Sequence, residues 1–176
     1  MTEKIYQLLD KSIKALEEKD AVTLRKISVE AINEAAVEQH RELILLSLVD
    51  YALSKMLNKP RYEEMEKTFF KKVLAELKIA REGDKKGVLH RLEQAEDLVI
   101  KLDTKKGHYE DTLIDKAKIK RAANLYYQGL SVKRASELTG AEPTRVLEYS
   151  GMGKIHEFKD EGPLRARLKK AKEILT

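Results

Sequence analysis

The sequence predicts an all-α protein: an antiparallel helical bundle, then a compact tri-helical module, then a basic C-terminal helix. Three observations carry this. Apolar residues recur at three- and four-residue steps through most of the chain. None of the eight glycines precedes Gly83, and Pro60 is the only proline before residue 143, so the first 82 residues should run as long helices. From Leu125 onward, short helical patterns alternate with glycines.

Ile5, Leu8, Leu9, Ile13 and Leu16 mark a first helix over roughly residues 2–18. Asp20 is placed to cap a second, which carries Val22, Leu24, Ile27, Val29, Ile32 and Ala36. A third pattern, Leu43 to Leu57, is apolar almost all round at its start, which predicts burial on several sides and a central place in the bundle. Asn58, Lys59 and Pro60 end it. Residues 62–82 form a fourth helix with Phe69, Phe70, Val73, Leu74 and Leu77 facing inward. Gly83 allows a turn, and Val88, Leu89, Leu92, Ala95, Leu98 and Val99 line a fifth helix. The turn at Leu16–Asp20 is echoed at Ala80–Asp84, but too few residues are shared for a solenoid, and an ordinary bundle is the expectation.

Residues 103–108 are polar and aperiodic, which places a boundary there. The predicted units are a bundle over 1–103, a module over 104–157 and a basic helix within 158–176. In the module, Ile114, Ala117, Ala122, Leu125 and Tyr126 suit one helix, ended by Gly129. Ser131 can cap the next, with Val132, Ala135 and Leu138 as its apolar stripe, and Gly140 permits a sharp reversal. Pro143 is suited to the first position of a third helix bearing Val146, Leu147 and Tyr149. Helix, glycine, short helix, glycine, short helix is the order of a tri-helical helix-turn-helix unit.

The stretch AANLYYQGLSVKRASELTG resembles small helix-turn-helix proteins of archaea and bacteria described as antitoxin-like or as transcription regulators. The resemblance covers about 40 residues, Lys116 to His156, and does not reach residues 1–103. Thr139 and Ala141 stand where larger aliphatics are usual, and Tyr149 replaces a late aliphatic.

Charge distribution adds to this. Residues 1–103 hold 19 Lys and Arg against 20 Asp and Glu, whereas residues 104–176 hold 16 against 10, so the whole net charge of +5 arises in the C-terminal part. A polyanion-binding surface has such a basic bias, and so does a merely solvated one. If the module meets duplex DNA, Thr144 and Arg145 would lie nearest the bases, with Arg145 able to contact guanine bidentately. Lys133 and Arg134 would face phosphates, joined by Lys118, Lys120, Arg121 and Lys154. Glu142 and Glu148 on the same short helix oppose phosphate.

With no cysteine, disulfide and thiol chemistry are excluded. No phosphate-cradling Gly-rich loop with a following Lys-Ser or Lys-Thr occurs, and His40, His90, His108 and His156 lie far apart. The expectation is therefore no enzyme, no cofactor and no metal. The charged N-terminus and the brevity of every apolar run lead us to expect a cytoplasmic protein without a membrane partner. Lys- and Glu-rich composition without Cys or Trp suits a thermophile. The expected function is a non-enzymatic DNA-binding regulator whose N-terminal bundle mediates homodimer or partner contact; the alternative is a helical interaction or scaffold protein that touches no nucleic acid.

Overall fold

A computed structural model describes residues 3–60, 62, 66–83, 85–106 and 111–152. Eight helices and no strand occur among them: α1 (Glu3–Glu17), α2 (Ala21–Glu38), α3 (Arg41–Leu57), α4 (Glu66–Glu82), α5 (Lys85–Lys106), α6 (Leu113–Tyr127), α7 (Val132–Thr139) and α8 (Pro143–Met152).

Local chemistry sets many of the helix ends. At Asp20 the carboxylate accepts the Thr23 backbone N–H at 2.9 Å and its hydroxyl at 2.6 Å, which satisfies a first-turn donor of α2. Lys19 and Gln39 take the left-handed conformation with φ of 54° and 53°, so the chain reverses there without glycine. Asn58 ends α3 two residues before Pro60.

Helix α3 is the centre. It contacts α1, α2, α5, α6 and α7. From Glu42 through Ser54 every residue is buried, the condition under which an all-round apolar helix is stable in water. Ile5, Leu8, Leu9 and Leu16 of α1 pack into the same core as Leu24, Ile27 and Ile32 of α2, Val73 and Leu77 of α4, and Leu92 and Val99 of α5. Phe69 and Phe70 of α4 meet edge to face, their centroids 5.2 Å apart. Tyr6 donates its hydroxyl to the Gly83 carbonyl at 3.0 Å, and Lys78–Glu17 and Arg81–Asp10 join α4 to α1 at the surface. Such exposed pairs contribute little stability.

Several expectations are corrected. Val22 and Val29 are exposed on α2 rather than buried. Helix α4 begins at Glu66, and Tyr62 ahead of it is fully buried, its hydroxyl donated to Asp103. Residues 103–106 are not a linker, because α5 continues to Lys106. Asp103 stays buried because its carboxylate is used: it also accepts the Leu113 backbone N–H at 2.6 Å, holding the start of α6 against the end of α5. The core cluster runs from Ile5 through Val146 without interruption, and α6 contacts α2, α3 and α5. Lys154 and the basic helix expected within 158–176 lie outside the described residues.

Candidate nucleic-acid interface

Residues 111–152 form three helices that touch one another, α6, α7 and α8. Helix α6 opens with a capping box: Thr112 Oγ1 accepts the Asp115 N–H at 3.1 Å, and Asp115 accepts the Thr112 N–H at 3.0 Å. Gly129, with φ 93°, lets the chain turn so that Leu130 N–H reaches the Leu125 carbonyl at 3.1 Å. Ser131 caps α7 by accepting the Arg134 N–H at 3.1 Å. Gly140, with φ 73°, ends α7 by donating its N–H to Ser136 at 2.8 Å, and Pro143 begins α8.

Gly140 is a place where only backbone conformation matters. A Cβ there would meet nothing nearer than the Lys118 side chain, at 3.9 Å. Gly140→Ala should therefore cost about 1–2 kcal/mol, the left-handed penalty alone. Chemical denaturation would read it; a neutral effect would show that the turn relaxes.

Seven of the eight predicted contacts are among the described residues, and they differ in burial and pairing. Arg121 is 1% exposed and belongs to the core. Its Nη2 donates to Ser28 Oγ at 2.5 Å, its Nη1 lies 3.0 Å from the Asn124 side-chain amide, and its guanidinium lies 5.0 Å from the centre of the Tyr51 ring. It cannot be a phosphate contact. Lys120 stands 5.8 Å from the same ring. Lys118 is half-buried, its Nζ 3.8 Å from Glu96 Oε1. Arg134 is exposed but donates to Gln39 Oε1 from Nε at 3.0 Å and from Nη2 at 2.8 Å. Arg145 is engaged bidentately with Asp111, its Nη1 donating at 2.7 Å and its Nη2 to the second oxygen. Lys133 and Thr144 are exposed as expected.

The electrostatics follow this pairing. Arg145 beside Asp111 holds that carboxyl below its usual range, and Asp111 raises Arg145 in return. Burial pulls Arg121 down to about 10. Burial also pushes Asp50 up to about 8, against the opposing hydrogen bond from Ser12 and the charge of Arg121. Ser12 donates to Asp50 Oδ2 at 2.6 Å, while Oδ1 makes no hydrogen bond. Neither Asp50, Ser28 nor Gln39 stood out in the sequence as a partner of these cations.

The outer face of α8 is not basic. Thr144, Leu147, Glu148 and Gly151 are exposed one turn apart, and Tyr149 is exposed beside them. Leu147 and Tyr149, expected as packing residues of α8, leave that task to Val146, which is fully buried. Tyr126, expected on the inner stripe of α6, is also exposed. Residues 111–152 carry seven Lys and Arg and five Asp and Glu, and Arg121 is internal, so the positive surface excess of the three helices is a single charge.

Among the described residues no group of three or more His, Cys, Asp or Glu could hold a metal ion, and no helix is long and apolar enough to cross a membrane. In comparisons with known proteins, no family model, no curated protein and no solved structure matches the chain.

Proposed function

We propose that this chain is a non-enzymatic helical interaction protein whose helices α6, α7 and α8 are built into the bundle instead of forming a separate duplex-reading head. Arg121 carries the reading. A cation expected to face phosphate is spent inside the molecule, joining α6 to Ser28 of α2 and Tyr51 of α3. Pairing of Arg134 with Gln39 and of Arg145 with Asp111 supports it, because each removes a donor from the face that would meet DNA. Leu147 and Tyr149 give α8 an amphipathic outer surface of the kind that protein partners cover.

The test is retention on mixed-sequence duplex at low salt. The expected result is retention no better than that of a neutral protein of similar size, with none of the steep salt dependence that counterion release imposes. Removal of residues 107–176 should leave the remainder insoluble, since it uncovers the face of α3 that α6 and α7 contact.

A second reading, a DNA-binding regulator of the helix-turn-helix type, is favoured by the order of α6, α7 and α8, their two glycine turns, and the exposure of Lys133 and Thr144. Salt-sensitive retention that disappears when Lys133 and Arg134 are both changed to Glu would establish it and overturn the first.

A further inference from the structure

Where α3, α5, α6 and α7 meet there is an open cleft of about 140 Å3. Its apolar lining is Ile44, Leu45 and Leu48 of α3 with Leu138 of α7. That is close to the roughly 150 Å3 known to hold a benzene ring, so its occupant has only a few heavy atoms.

Two opposite charges stand together in this cleft. Glu96 and Lys118 have side chains only 15% and 26% exposed, yet their charged atoms are 3.8 Å apart, beyond hydrogen-bond reach. Glu96 Oε1 makes no hydrogen bond at all. A buried carboxylate oxygen without a donor is costly, and here burial also pushes the Glu96 carboxyl upward. Arg41 and Glu137 also line the cleft, but each has a partner of its own, Glu93 at 3.3 Å and Arg134 at 3.5 Å. A simple cation would be attracted by Glu96 and repelled by Lys118, and a simple anion would fare no better. A molecule carrying both charges on neighbouring atoms gains from both.

We propose that this cleft binds a small zwitterion, an aliphatic α-amino acid, with its ammonium group at Glu96, its carboxylate at Lys118 and its side chain against Ile44, Leu45 and Leu48. The occupant would bridge α3 and α5 of the bundle to α6 and α7, so binding would tie the C-terminal helices to the rest. The inference is independent of whether the chain meets DNA or protein.

The experiment is a titration of L-valine into the full chain, followed through the methyl resonances of Ile44, Leu45 and Leu48. Saturable shifts are expected, with affinity on the order of millimolar for so small a ligand. Isobutylamine and isovalerate, each with one of the two charges, should bind at least about ten-fold more weakly than valine, as loss of one charge-assisted hydrogen bond requires. Glu96→Gln and Lys118→Met should each weaken valine to a similar degree while the circular dichroism spectrum is retained. The single-charge analogues test the wild-type chain, so the result does not depend on either variant folding. Absence of saturable shifts would reduce the feature to a hydrated ion pair and overturn the proposal. So would binding of isobutylamine or isovalerate as tight as that of valine.

Discussion

Replacement of Arg121 by alanine is expected to destabilise the chain by about 3–5 kcal/mol, the range for truncating a large side chain in a closed core. The Arg121 side chain is among the largest fully buried ones, so its loss leaves a cavity among α2, α3 and α6. Ser28 Oγ also loses its guanidinium donor. Arg121→Met, which keeps the length and removes the charge, should recover more than half of that loss, since well-packed apolar replacements of buried ions are often neutral. Lys133→Ala, on the exposed face of α7, should stay within about 0.5 kcal/mol. Equilibrium unfolding of the three variants measures this directly. Equal behaviour of Arg121→Ala and Lys133→Ala would mean that Arg121 is a surface residue.

Asp50→Asn should abolish most of the pH dependence of stability between about pH 4 and pH 8. Asp50 is fully buried, and its folded-state value of about 8 lies far above the unfolded 3.8. Below the unfolded value both states are protonated, and the contribution is fully present. As pH rises the unfolded chain ionises first, so stability falls by up to about 1.4 kcal/mol per pH unit until the folded value is passed. Asparagine cannot ionise and can still accept from Ser12. The variant should match wild type near pH 4 and be the more stable protein at pH 8. A wild-type curve that is flat, or that rises over this interval, would place an ionised Asp50 in the folded protein.

What could be read beforehand was the chemistry of neighbours. Asp20, Ser131, Gly140 and Pro143 fall where caps and turns were expected because each acts on backbone within three or four residues of itself. The central position of α3 followed from its apolar circumference. Polar residues with distant partners were harder. Asp103 lay in a stretch that looked like linker, because nothing local shows that its carboxylate would take Tyr62 and the start of α6. Arg121 carried a usable signal: it continues the stripe Ile114, Ala117, Leu125 at three- and four-residue steps, and those residues are all fully buried. A cation within an apolar stripe can equally extend its head past the edge to water. Its acceptor, Ser28, is 93 residues away and unmarked by any spacing. The pairing of Arg134 with Gln39 was hidden for the same reason. Net charge counts cations, and here pairing decided where they point.

The crossing of α2 over α3 has a consequence for the order of assembly. Ser28 and Ser47 each give a hydroxyl to the other's backbone carbonyl, Ser47 to Ser28 at 2.6 Å and Ser28 to Ser47 at 2.5 Å, and Ser28 then accepts Arg121. The receptor for that guanidinium exists only once those two helices have closed upon each other. As the polypeptide leaves the ribosome, its first half can reach this arrangement before Arg121 has been synthesised. On that order α6 is expected to dock after α2 and α3 have closed, with Arg121 entering a notch already formed.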